Sequence, residues 1–188
     1  MTIDLNSQYG LNPAHSEVVE ACKIIKPCDA LDMGSSNGRN TLYLSQKGFN
    51  VTAIDTNPAA IDMLKTISIE EKLDNIKAQV YDINNASLNE HYGFISCTVT
   101  LMFLDPSRVD AVIADMQNNT VAGGYNLIVC AMDTPQHPCP APFPFTLQAG
   151  ELSKAYEGWE LIKYNEDVGT MHNGAQLQFA TLLARKVS

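Results

Sequence analysis

The chain has 188 residues, 45% apolar and 18% charged, with a formal net charge of −9. This length suits one domain with a core on both faces of a single sheet; no run approaches the roughly 18 uncharged apolar residues of a membrane helix, and the acidic field repels polyanions, so nucleic acid is an unsuitable partner. The five cysteines form no CxxC pair, and their odd number suits reduced core thiols better than a disulfide framework or a metal site.

The start, MTIDLNSQYG, has no basic segment followed by an apolar run, which predicts a cytoplasmic protein. Residues 1–27 read as an N-terminal helical segment, with a helix from Ser16 to Ile25. Short apolar runs then alternate with amphipathic stretches, the pattern of βα units around a parallel sheet. Strands are expected at Ala30 to Met33, Asn50 to Ile54, Ile76 to Tyr81, Tyr92 to Cys97 and Tyr125 to Met132. Helices are expected at Arg39 to Gln46, from Pro58 to about Ile69, and from Asp105-Pro106-Ser107 to about Asn119. Residues 133–150 hold five prolines and two phenylalanines and read as an ordered lid. A short helix (Glu151 to Tyr156) and two strands (Trp159 to Asn165 and Gln176 to Arg185) close the chain. The fold class expected is α/β: a single doubly wound, Rossmann-like sheet.

The most informative stretch is Ala30-Leu31-Asp32-Met33-Gly34-Ser35-Ser36-Asn37-Gly38-Arg39-Asn40, a strand entering a glycine-bearing turn and then a helix. Such a turn lets the backbone approach a ligand at the carboxyl edge of the sheet. Its spacing departs from the G-x-G-x-x-G of dinucleotide sites, and Asp32 would repel a phosphate. A cationic, phosphate-free ligand such as S-adenosylmethionine is favoured, with turn amides and Arg39 available for its carboxylate. Asp55 ends the second strand 23 positions after Asp32, where an acid accepts bonds from ribose hydroxyls; the same position also suits a cap for the helix at Pro58. Asp82 and Ile83 follow the third strand and suit an adenine amino group and ring, while a solvated loop start would equally place an acid there.

These residues resemble the class I methyltransferases. More narrowly, Thr98-Val99-Thr100-Leu101-Met102-Phe103-Leu104, Gly123-Gly124-Tyr125-Asn126-Leu127-Ile128-Val129, Ala131-Met132-Asp133-Thr134 and Tyr156-Glu157-Gly158-Trp159-Glu160 resemble the TehB-type tellurite-resistance methyltransferases, and the likeness spans almost the whole chain. It implies a mostly parallel sheet with an antiparallel C-terminal strand, S-adenosyl-L-methionine as donor, and tellurite or selenite, or species derived from them, as acceptor; a small thiol is a further soft nucleophile of the same kind. It implies a donor site from Asp32, Gly34, Ser35, Ser36, Gly38, Arg39, Asn40, Asp55, Thr56, Asp82, Ile83 and Thr98, with no metal. The family turn usually reads Asp-Leu-Gly-Cys-Gly-Asn-Gly-Arg-Asn, so Ser35-Ser36 here replaces Cys-Gly. If Ser36 needs a positive φ, the strain costs about 1 kcal/mol or more.

Methyl transfer from a sulfonium is an in-line displacement that gains most from alignment. A soft nucleophile needs little general-base help, so the expected catalytic group, His172, holds or orients the acceptor; a surface-loop histidine is the competing account. His15 is expected to close over the site, though Ser16 as a helix cap would explain that region too. Phe103, Phe143 and Phe145 suit either a wall of the site or core packing. The altered turn also admits a non-catalytic sensor that binds the donor or S-adenosylhomocysteine. A monomer and a homodimer both fit the sequence.

Overall fold

The computed structural model describes residues 4–170 and 174–187. Seven strands form one sheet: β1 (Asp29–Met33), β2 (Asn50–Asp55), β3 (Ile76–Val80), β4 (Tyr92–Thr98), β5 (Thr120–Ala131), β6 (Glu160–Thr170) and β7 (Gln176–Arg185), in the order β3-β2-β1-β4-β5-β7-β6. Pairs among β1 to β5 are parallel, and β7 runs antiparallel between β5 and β6. The chain reverses direction across the sheet between β1 and β4, which opens a crevice at the carboxyl ends of those strands.

Among the described residues, six α-helices cover the faces: α1 (Leu5–Gln8), α2 (Ser16–Ala21), α3 (Arg39–Gln46), α4 (Pro58–Glu70), α5 (Val109–Asn118) and α6 (Glu151–Ala155). Alternation along β1 divides the core. Leu31 and Met33 join α5 and α6 side chains on one face, while Ala30 joins Val18, Ala21 and Leu44 of α2 and α3 on the other. A third cluster seats Leu5 of α1 against Leu42, Leu64 and Ile67 of α3 and α4.

The helices start where the local chemistry provides a cap. Asn57 Oδ1 accepts the amides of Ala59 and Ala60 at the start of α4, with Pro58 needing no donor. The cap of α2 is His15, whose Nδ1 accepts the Glu17 amide, and not Ser16. Helix α2 also stops at Ala21, four residues before the sequence pattern does. The expected helix from Asp105 divides into a 3₁₀ turn, Pro106–Arg108, capped by Asp105, and then α5. Strand β6 exceeds its expected length because antiparallel pairing to β7 extends it, and β5 starts five residues early, where Thr120 pairs with Tyr92 of β4. The helix α1 gave no periodic signal; it is short, capped by Asp4, and tied to α4 by Tyr9, whose hydroxyl donates to Glu70 and Glu71.

Residues 133–150 are held against the end of β5. Leu147 is buried and bridges to Met132, the Asp133 amide donates to the Leu147 carbonyl, and the Phe145 amide donates to the Met102 carbonyl. Phe143 meets Phe103 edge to face at 5.3 Å.

Candidate functional site

Two adjoining cavities occupy the crevice at the carboxyl ends of β1, β2 and β4. The larger, about 660 Å³, is lined by residues from three regions: the N-terminal segment (Asn12, His15), the turn after β1 (Ser35, Arg39, Asn40), and the ends of β4 and β7 (Thr98, Phe179). The smaller, about 380 Å³, holds Asp55, Thr56, Asp82, Ile83, Phe103 and Leu104. Their volumes suit a ligand the size of a nucleoside joined to an amino acid. No residue of 133–150 lines either cavity, so Phe143 and Phe145 pack beneath Phe103 and do not wall the site. Phe103 itself is 60% exposed at the mouth of the smaller cavity.

Charge is divided between the two. Among the described residues, the larger cavity has no carboxylate in its lining and holds Arg39 and His15. Arg39 is half-buried at the first position of α3 and makes no ion pair among the described residues. The smaller cavity has Asp55 and Asp82 and no cation. In a chain of net charge −9, a carboxylate-free chamber at a helix start suits an anion, and the acidic chamber suits hydroxyl and amino donors.

The turn between β1 and α3 is rigid. The amides of Gly34 and Ser35 donate to the Ile54 carbonyl at 2.9 and 3.0 Å, and the Ser36 amide donates to Asp55 Oδ2 at 2.8 Å. These three turn amides are therefore engaged within the protein, and Arg39 and His15 remain to meet a ligand carboxylate. A Cβ on Gly34 would collide with the Thr100 side chain, and one on Gly38 with Leu64, so both glycines are required by close approach as well as by φ. Gly38 caps α3 from beneath and lines neither cavity. Ser36 adopts φ +48 without being glycine. Ser35 is 4% exposed, lines the larger cavity, and its Oγ has no hydrogen-bond partner, an orphaned polar atom that a polar ligand group would satisfy.

Asp32 lies behind the wall. It is 1% exposed and absent from both linings; Thr41 Oγ1 donates to its Oδ2 at 2.7 Å and Ser96 Oγ to its Oδ1 at 3.3 Å. Burial pushes its carboxyl above the ordinary range, opposed by those two hydroxyls and by the charge of Arg39. A sequence shows that an acid ends the strand but not which way it faces. Beside it, Asn40 links two parts of the site: its Oδ1 accepts the His15 amide and its Nδ2 donates to Thr98 Oγ1.

His15 lines the larger cavity, and burial followed by the nearby Arg39 charge depresses its imidazolium. Because Nδ1 accepts the Glu17 amide, the neutral ring carries its proton on Nε2. Asp55 is not the cap of α4, which is Asn57; its Oδ1 accepts the Asn57 amide. Asp82 Oδ1 accepts the amide and side chain of Asn84, shaping the 3₁₀ turn that buries Ile83. His172 lies outside the described residues. Sequence reasoning missed Asn12, Val99 and Thr170 in the linings. The Gly10 to Pro13 turn signal marks the first, while the third is brought in only by strand pairing.

A seven-stranded sheet in this order, with its crevice and divided pocket, is the architecture of the class I methyltransferases. The sequence matches the family described as "Tellurite resistance protein TehB" over residues 4–183, and the chain belongs to that family. It is 46% identical over 187 residues to a protein of Haemophilus influenzae (strain 10810) called "Probable S-adenosyl-L-methionine-dependent methyltransferase TehB", covering 96% of this chain and 65% of that protein. A protein of Eikenella corrodens called "Hemagglutinin 1" is equally similar, at 46% over 96% of this chain and 62% of its own length. The crystal structure of TehB from Haemophilus influenzae superposes with a TM-score of 0.93 at 45% identity, covering 96% of this chain and 65% of that one. This chain thus spans less than two thirds of the length of these relatives. No helix among the described residues is long and apolar enough to cross a membrane.

Proposed function

We propose that this protein is an S-adenosyl-L-methionine-dependent methyltransferase whose acceptor is a small soft nucleophile: tellurite, selenite or a small thiol. One observation carries the reading, the division of a single crevice into an acidic chamber and a carboxylate-free chamber with Arg39 and His15. The donor's ribose and adenine bring hydroxyl and amino donors, which match Asp55 and Asp82, and its amino-acid end brings a carboxylate, which matches Arg39, His15 and the orphaned Ser35 Oγ. When bound, the donor supplies an electrophilic methyl on a sulfonium. The chain's own residues hold and align. Asp55 fixes the turn and offers lone pairs to the smaller chamber, Asn40 couples His15 to Thr98, and Ile83, Phe103 and Leu104 exclude water. An in-line displacement on a soft nucleophile asks for no buried general base. His172 is kept in the proposal as a further orienting group for the acceptor. The family name supports tellurium chemistry and resistance to tellurite as the role. All five cysteines are free thiols, which suits a cytoplasmic setting.

Titration calorimetry with the donor and S-adenosylhomocysteine, run beside a product assay on tellurite, selenite and a thiol series, tests this. Micromolar binding and methylated product on at least one acceptor is expected. The strained Ser36 favours the second reading, a sensor, and tight binding without turnover on any acceptor would establish it in place of the enzyme.

A further inference from the structure

Among the described residues, three line both cavities: Gly34, Ser36 and Val99. All three hold a left-handed backbone, at φ +74, +48 and +58. For glycine this is free. For a β-branched residue it is a rare and costly conformation that persists only where the surroundings impose it. The surroundings of Val99 do so from both sides. Its amide donates to the Val129 carbonyl at 2.7 Å, the last rung of the β4 to β5 ladder, and the next residue, Thr100, donates its hydroxyl to the Met33 and Thr98 carbonyls at 3.2 Å each. Thr100 in turn fills the space that a side chain at Gly34 would need.

The lining that the two chambers share, here called the waist, is thus two residues of one turn with little or no side chain, and one bulky side chain. Gly34 has none, Ser36 has a hydroxymethyl, and Val99 has a branched apolar group half-packed against the core. On the donor reading above, on which this inference rests, the atom joining the nucleoside to the amino acid is the sulfur, and a ligand spanning both chambers passes through this waist. We infer that Val99 is a specificity-determining residue: its side chain, fixed by the imposed left-handed backbone, limits the alkyl group on that sulfur to a methyl. A free rotamer or loop would yield to a larger group. A residue whose own amide is bonded to β5, and whose neighbour Thr100 is bonded to the Met33 and Thr98 carbonyls, does not. Because the fence is apolar and stiff, it discriminates by volume, and each methylene it rejects is worth about tenfold or more in affinity.

The test is direct binding, so turnover is not needed. Wild type, Val99→Gly, Val99→Ala and Val99→Ile are titrated by calorimetry with S-adenosylhomocysteine, which has no alkyl group at the third position of sulfur, and with sulfonium homologues carrying methyl, ethyl or propyl. Wild type should bind the methyl compound at least about a hundredfold more tightly than the propyl one, two methylenes at about tenfold each. Val99→Gly should bring that ratio to within about threefold while leaving S-adenosylhomocysteine within about threefold of wild type, and Val99→Ala should lie between. Val99→Ile should weaken the methyl compound and spare S-adenosylhomocysteine. Glycine accepts this φ without penalty, so the variant is expected to fold; alanine and isoleucine carry the test if it does not. The inference is overturned if wild type binds all three homologues equally, or if the methyl-to-propyl ratio is the same in every variant. Failure of wild type to bind any of the four ligands overturns the donor reading itself, a different result from retained binding with unchanged ratios.

Discussion

The carboxylate of Asp55 accepts the Ser36 amide at 2.8 Å on one oxygen and the Asn57 amide at 2.9 Å on the other, so one side chain ties the turn after β1 to the cap of α4. Replacing it therefore disturbs both the ligand groove and the loop that frames it. Asp55→Ala should weaken S-adenosylhomocysteine about thirtyfold, the worth of roughly 2 kcal/mol of hydrogen bonds to a charged acceptor. His172→Ala should leave that affinity nearly intact and act on turnover, since ribose bonds are made in the ground state. Calorimetry on both variants decides it; equal losses would refute the division of roles.

Ser36 holds a conformation that costs an L-residue about 1–2 kcal/mol, against about 0.5–1 kcal/mol for the extra chain entropy of glycine. Ser36→Gly should then stabilise the fold by about 0.5 kcal/mol and bind donor at least as well as wild type. Denaturant midpoints at constant slope would show this. A clear destabilisation would mean that the Ser36 hydroxyl contributes more than the backbone strain removes.

Asp32 is buried with a raised pKa, so the folded state binds its proton more tightly than the unfolded chain. Stability from this group is greatest in acid and falls as pH rises through the unfolded value towards the folded one. Thr41→Val removes the 2.7 Å hydroxyl donor and should cost about 2–3 kcal/mol at pH 7 and less near pH 4, where the carboxyl is protonated. Asp32→Asn, which carries no charge to desolvate, should lose much less. Urea unfolding at the two pH values checks both.

The opposite sign applies to His15. Its depressed pKa means that the unfolded chain binds the proton more tightly, so its contribution is present above the ordinary value of 6.5 and is lost as pH falls through the folded one. Protonation also removes the lone pair that caps α2. His15→Asn retains a capping acceptor without a titrating ring, and should flatten the loss of stability below pH 6.5. At neutral pH the same variant should weaken binding of S-adenosylhomocysteine several-fold, since its carboxylate loses the Nε2–H donor, as calorimetry would show.

The parallel strands, the three strand-end acids and the turn were legible because periodicity and glycine spacing are local. Orientation and partners were not. Asp32 and Asp55 look alike in sequence, yet pairing of β1 with β2 and β4 turns one inward to Thr41 and Ser96 and leaves the other on the groove. Helix α1 is too short for a periodic signal and exists because Tyr9 and Leu5 find partners on α4 and in the third core cluster. Val99 lies just past the expected end of the fourth strand, and nothing in its residue type announces a left-handed backbone. The hydrogen bonds of the proline-rich segment lead to β5 and away from the crevice, which its composition does not show.

The uneven placement of acid and base along the crevice gives it a direction. With two aspartates at one end and Arg39 with His15 at the other, an elongated guest entering backwards would set its own carboxylate against Asp55 and Asp82 and leave the guanidinium facing an uncharged ring. Only one of the two threadings is electrostatically affordable, so head and tail are told apart before any close fit is tried, by fields that reach further than van der Waals contact.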